Sequence, residues 1–267
     1  IVEEFVPDVS DVIEDPGEAI MGDLKQTETA PPSDLGDLAM IDVGALGLDI
    51  DLMGDGKGKK GDGIGVASFF GVTTRGRKFM YVVDNSNSMN GGKFEMACNE
   101  LFKSISGLSY DHEFYIIFYS DAAYPLFYPR TAPRWVKATP ENVEKVRYWL
   151  DEVHRCLQTR GEEAMTKAFQ MRPDVIYLLG DGSFTDKAVP TTLGFNDPNV
   201  VVHTMGFGMK AAARKGFEDI STKFKGKFHE VDVIPAAVKA SKEKNRPKNN
   251  QQNGVWGINL GKGKKKK

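Results

Sequence analysis

From Val66 onward the chain alternates short apolar runs with amphipathic stretches. Lys78–Val83 is apolar and ends at Asp84, the pattern of a strand buried on both faces. Within Lys93–Ile105, the residues Phe94, Cys98, Leu101, Phe102 and Ile105 recur at helical spacing. Glu113–Tyr119 reads EFYIIFY, a continuous aromatic and β-branched run that predicts a second buried strand. Ala123–Tyr128 suits a short edge strand. Pro140 opens a helix with Thr139 as its N-cap, and Val143, Val146, Trp149 and Leu150 line one face of it as it runs to about His154. A further helix is expected over 162–170, strands over Val175–Leu179 and Val200–Phe207, a helix over Ala211–Phe224 and a last strand over Lys227–Val231. Strands that alternate with helices predict an α/β fold: a doubly wound, mainly parallel central sheet flanked by helices, with extended N- and C-terminal segments.

Charge marks where that pattern stops. The net charge of −2 conceals −12 over residues 1–66 and +9 over residues 237–267, with a near-neutral middle. The expected organisation is therefore an acidic, Gly-rich leader over 1–65, a folded domain over 66–236 and a basic tail over 237–267. Residues 1–35 are acidic, poor in aromatics and broken by Pro31-Pro32, a composition that buries too little apolar surface to offset the entropy of ordering. Leu38–Met53 is apolar, with period-two alternation over Leu46–Leu52, and reads as a strand or a docking segment. Gly54–Gly65 reads as a linker, because the phosphate-loop spacing G-x-x-x-x-G-K-[ST] is missing. Phe69-Phe70 is expected to plug a groove on the domain. Trp256, within Val255–Leu260, marks either a frayed tail or a peptide that adds a strand to a neighbour. Cys98 and Cys156 fall in different predicted elements and read as free thiols. No run approaches the ~18 apolar residues of a membrane-spanning helix. The chain begins at Ile1, so a processed protein or a fragment is expected, with any anchor lying upstream.

Ligands of open α/β sheets bind beyond the carboxyl ends of the strands. Directly after the first strong strand stands Asp84-Asn85-Ser86-Asn87-Ser88, and after Val175–Leu179 stands Gly180-Asp181-Gly182. Thr159 lies in the loop before the helix that begins near Glu162. Asp84, Ser86, Ser88, Thr159 and Asp181 are thereby expected at one rim. They are hard oxygen donors, suited to Mg²⁺, Ca²⁺ or Mn²⁺ and poorly suited to zinc.

Asp84-x-Ser86-x-Ser88 at a strand end resembles the D-x-S-x-S signature of the von Willebrand factor type A domain, with Thr159 and Asp181 where that family's other two metal loops supply a Thr and an Asp. RKFMYVVDNSNSM, HEFYIIFYSDAAYPLF and PDVIYLLGDGSF are similar to bacterial, especially planctomycete-type, members. The loop Leu157-Gln158-Thr159-Arg160-Gly161 departs from the G-G-T-D-P found in many of them. The resemblance implies a metal-ion-dependent adhesion site. Ser86 and Ser88 coordinate directly, Thr159 directly or through water, and Asp84 and Asp181 through water. The open position takes a carboxylate of a partner protein.

Other chemistry is weaker. His112, His154, His203 and His229 have no metal spacing; His203 reads as a hydrogen-bonded core residue and His112 as exposed. No G-x-S-x-G elbow is present, and Ser86 lacks an evident base, so an enzyme is not expected. The leading expectation is a metal-dependent adhesion module. The alternative is an assembly component whose Leu38–Met53 and Val255–Leu260 segments make the contacts. A metal-dependent hydrolase ranks third. The basic tail attracts anions in general, but no nucleic-acid module accompanies it, so nucleic acid is not an expected partner; self-association through the oppositely charged ends is. The resemblance points to the cell envelope.

Overall fold

The computed structural model describes residues 65–244, 246–249 and 255–257. The acidic leader, the Leu38–Met53 segment and residues 258–267 lie outside the described residues. Eleven strands and six helices are described: β1 (Gly65–Phe69), β2 (Val72–Gly76), β3 (Lys78–Asp84), α1 (Lys93–Ser106), β4 (Glu113–Tyr119), β5 (Ala123–Pro125), β6 (Val136–Lys137), α2 (Pro140–Glu152), β7 (Arg155–Cys156), α3 (Glu162–Gln170), β8 (Val175–Gly180), α4 (Ala188–Gly194), β9 (Val201–Phe207), α5 (Ala211–Lys223), β10 (Phe228–Val231), α6 (Pro235–Lys244) and β11 (Lys248–Asn249).

The main sheet has the order β10-β9-β8-β3-β4-β5, with β6 also on β4. β10, β9, β8, β3 and β4 are parallel, and β5 and β6 run antiparallel on the β4 side. The apolar runs read from the sequence are these strands: β3, β4 and β8 are buried along nearly their whole length because helices cover both faces. One face presents Tyr81, Tyr177 and His203 in register. There the Tyr81 hydroxyl pairs with Ser104 of α1 at 2.7 Å, and Phe118 packs on Phe94 of α1 and Trp149 of α2. The other face carries α3, α4 and α5: Thr204 Oγ1 donates to the Phe217 carbonyl, and Phe169 stacks on Phe195 and packs against Phe224. The sheet is doubly wound. Chain order leaves β3 toward β4 on one side and returns to β8 on the other, so the topological switch point lies between β3 and β8.

Three departures from the sequence reading bear on function. First, Gly65–Gly76, for which the sequence predicts no element, is an antiparallel hairpin. Its two-residue turn, Phe70-Gly71, has φ of 47° and 74°, which matches the twist of paired strands. Phe69 is fully buried against Tyr81 and Tyr177, and Phe70 meets Phe207 edge-on. Secondly, His112 is buried, not exposed. Gly65 of the hairpin lies over its ring, Phe79 meets it edge-on at 6.0 Å, and Nδ1 accepts from the Ser109 N–H at 3.1 Å. The hairpin that covers His112 is invisible to a pattern search confined to the sheet. His203 is the hydrogen-bonded core residue expected: it pairs with Thr74 Oγ1 and accepts from the Lys227 N–H, and burial pulls its pKa down to about 4. Thirdly, packing continues past residue 236, where composition placed the start of a basic tail. Gly92 abuts the α6 backbone at Ala237, Arg246 is buried, and Trp256 joins the core. Among the described residues, Lys239, Lys242, Lys244 and Lys248 face solvent while Ala237, Arg246 and Trp256 turn inward, so net charge concealed the docking.

Candidate metal site

Asp84 ends β3, and Asp181 directly follows β8, the neighbouring strand across the switch point. Each carboxylate first orders its own loop. Asp84 Oδ1 accepts from the Ser86 N–H at 2.7 Å, and Asp181 Oδ1 accepts from the Ser183 N–H at 3.0 Å, the same two-residue turn twice. The Ser86 and Ser88 hydroxyls lie 2.7 Å apart. Ser88 sits in a one-turn 3-10 helix, Asn87–Met89, and α1 begins only after Gly92; Ser88 therefore caps no helix, and its side chain is exposed at the rim.

Asp84 is 0% exposed, and its Oδ2 has no hydrogen-bond partner. Burial, reinforced by the neighbouring Asp181 charge and opposed by Ser86 and the Asp181 main chain, pushes its pKa up to about 7. A buried acceptor without a partner costs roughly 1–3 kcal/mol, so it calls for a reason. Gly180 makes the crowding possible. A Cβ there would fall 2.4 Å from the Tyr119 hydroxyl and 3.1 Å from Asp84 Oδ2, so no side chain fits.

Thr159 reaches the same rim by a different route. Its loop is stitched to the Asp84 loop through Asn85: the Cys156 N–H donates to the Asn85 carbonyl at 2.9 Å, and Asn85 Nδ2 donates to the His154 carbonyl at 2.9 Å. Ser86 also bridges to Cys156. The loop is stitched to the Asp181 side through Thr185, whose N–H donates to the Thr159 carbonyl at 2.8 Å, and through Asp186, whose carboxylate accepts from the Gly161 and Glu162 N–H groups. Asp186 thus caps α3, and Thr159 does not. Gln158 has φ of 66°, the left-handed region that favours glycine. A glutamine occupies this glycine-type conformation.

All five expected residues therefore converge on one rim, with Asp84, Ser86, Thr159 and Asp181 buried and Ser88 open to solvent. Asn85 and Asp186 were not singled out from the sequence. Asn85 is one of the unspecified positions of D-x-S-x-S, and Asp186 carries no signal until the fold brings it under α3. Among the described residues, no group of three or more His, Cys, Asp and Glu side chains gathers as a metal site. Any cation here depends on the hydroxyls. The thiols of Cys98 and Cys156 are both free and buried, and burial pushes each up to about 11.

No family model matches the chain. Over 101 residues it is 31% identical to human inter-alpha-trypsin inhibitor heavy chain H4, a stretch that covers 38% of this chain and 10% of that protein. Among solved structures, a von Willebrand factor type A protein from Catenulispora acidiphila aligns with a TM-score of 0.50 at 19% identity, over 64% of this chain and 43% of that one. Protein BatB from Bacteroides thetaiotaomicron aligns with a TM-score of 0.48 at 16% identity, over 64% and 97% of the two chains. This chain thus spans a small part of the human relative and less than half of the Catenulispora protein. At this identity the Catenulispora likeness is one of fold. The chain contains a domain with the von Willebrand factor type A fold.

Proposed function

We propose that this domain is a divalent-metal-dependent protein-binding module. The observation that carries the reading is Asp84 Oδ2, fully buried, without a partner and beside a second carboxylate. Left alone, that arrangement is unfavourable; a cation at the rim relieves it. The donors fit a hard ion: Ser86, Ser88 and Thr159 as direct ligands, Asp84 and Asp181 through water, with Mg²⁺ preferred and Ca²⁺ or Mn²⁺ as substitutes. Bound there, the ion supplies Lewis acidity toward a carboxylate of the partner protein. The chain's own residues do the rest. Asp84 and Asp181 each hold a loop by one oxygen, which fixes where the hydroxyls point. Ser88 leaves one side of the rim open to solvent, the side from which a partner approaches. The setting we propose for the domain is the cell envelope.

The test is direct. Mn²⁺ titration of the full chain by calorimetry is expected to show one site, lost in Asp84→Ala. Capture of partners from the source organism is expected to fail in EDTA and with Asp84→Ala. Partner binding that survives both treatments sinks the reading.

The assembly alternative relied in part on Val255–Leu260 as an outward contact. Trp256 is instead buried in its own domain, and β11 adds its strand to β7 of the same chain.

A further inference from the structure

Two stretches beyond α6 grip one side of the domain. In the first, Arg246 donates to the carbonyls of Leu150 at 2.6 Å and Val153 at 3.3 Å, lies over the Phe94 ring and pairs with Glu95 of α1 at 3.5 Å. Directly after it, Lys248–Asn249 pairs in parallel with Arg155–Cys156, and the Arg155 N–H donates to the Pro247 carbonyl. In the second stretch, Trp256 is 4% exposed among Tyr124, Tyr128, Trp149 and His154, with ring centroids 5.0, 5.2, 6.4 and 6.1 Å away. Two main-chain bonds flank the indole: the Tyr128 hydroxyl donates to the Val255 carbonyl at 2.8 Å, and the Gly257 N–H donates to the Tyr124 hydroxyl at 2.9 Å. That hydroxyl in turn donates to Asp121 at 2.6 Å.

Both stretches reach residues 153–156: Arg246 at the Val153 carbonyl, β11 on Arg155–Cys156, and Trp256 against the His154 ring. The segment 153–160 has little structure of its own beyond the two residues of β7, and it contains Gln158 in a left-handed conformation. It also delivers Thr159. Its inner edge is tied to Asn85 and Ser86, and the Arg160 N–H donates to the Ser120 carbonyl at 2.7 Å. Its outer edge is covered by β11 and approached by Trp256 through His154. A short irregular loop with an αL glutamine holds one geometry only if its surroundings fix it.

We infer that residues 246–249 and 255–257 form a strap that sets the position of the Thr159 loop, with Trp256 as its latch, and that strap docking tunes the metal affinity of the rim. This rests on the metal-site reading above. Trp256 is a positioning residue: it touches no proposed ligand and acts through His154 and the strand that precedes Thr159. Groups that orient ligands from behind are commonly worth about 10- to 100-fold in metal affinity.

The experiment uses the full chain as wild type, Trp256→Ala, Trp256→Phe and Tyr128→Phe, each titrated with Mn²⁺ and followed by amide hydrogen exchange. Trp256→Ala is expected to weaken Mn²⁺ binding about tenfold and to speed exchange over 155–160, while β3 and β8 keep their protection. Trp256→Phe is expected to restore most of the affinity. Tyr128→Phe, which removes one hydroxyl and leaves the core packed, is expected to shift both readouts the same way by less, and it decides the matter if Trp256→Ala does not fold. Faster exchange with unchanged Mn²⁺ affinity makes the strap a structural tie and overturns the inference; so does no change in either. A wild-type chain that takes up no Mn²⁺ rejects the metal reading itself, a result distinct from wild-type binding that the variants leave intact.

Discussion

Two buried polar regions of this domain are built in opposite ways. Under the β1–β2 hairpin, the polar groups are paired: His203 with Thr74 and the Lys227 N–H, and the Tyr177 hydroxyl with the Ala67 carbonyl. At the rim between β3 and β8, Asp84 Oδ2 and Asn85 Oδ1 are buried without partners, and Asp84 lies beside a second acid. Polar groups that satisfy one another contribute to stability and specify one packing. Polar groups left waiting cost stability, and a fold retains them where something else completes them. The contrast separates a region that holds the domain together from one that is prepared for a ligand.

The comparison can be broken most forcefully at Phe69. It is fully buried against Tyr81 and Tyr177, so Phe69→Ala is expected to cost about 3–5 kcal/mol in denaturant unfolding. Mn²⁺ affinity of the folded fraction should stay at wild type. A loss of affinity without a loss of stability would erase the division between the two regions.

Asp84 should behave in the reverse sense. Its folded pKa, about 7, lies above the ordinary aspartate value of 3.8, so between those values the folded state binds more protons than the unfolded one. The metal-free protein is therefore expected to lose stability as pH rises from about 4 through about 7, and saturating Mn²⁺ to cancel that loss at pH 8. Asp84→Asn in the metal-free protein at pH 8 should gain on the order of 2 kcal/mol, because the desolvated charge is gone, while Mn²⁺ binding disappears. Thermal unfolding against pH, with and without Mn²⁺, reads both. A metal-free wild type whose stability is flat or rising over that window contradicts the idea of a waiting carboxylate.

The smallest effect is expected at Gln158. Gln158→Gly relieves a left-handed non-glycine residue at some cost in unfolded-state entropy, for a net gain of no more than about 1 kcal/mol. Chemical denaturation checks it. A clear destabilisation would mean that the glutamine side chain makes up for its backbone conformation.

Much of this was legible in the chain. The apolar runs ending at Asp84 and Leu179 became β3 and β8, and α3 spans the expected 162–170, because buried parallel strands leave strong apolar signals and the helices between them follow from the α/β alternation. The candidate donors could be listed for the same reason: they stand at the ends of those strands. His112 was misread because its cover, Gly65, belongs to a hairpin forty-odd residues upstream whose short strands, VASF and VTTR, have no strong alternation. The strap escaped notice because a lysine-rich stretch reads as solvated, and one buried Arg and one buried Trp hardly alter its composition.

The sequence by itself determined which residues form the central strands, and through them which side chains arrive at the carboxyl rim, since strand period and chain order dictate both. Tertiary structure alone decided that Asp84 is fully desolvated with one oxygen unpaired, that Asn85 and Thr185 tie Thr159 into the rim, and that Trp256 turns back onto the loop carrying it. Desolvation and long-range pairing depend on what packs against a residue from elsewhere in the chain, and no local pattern encodes that.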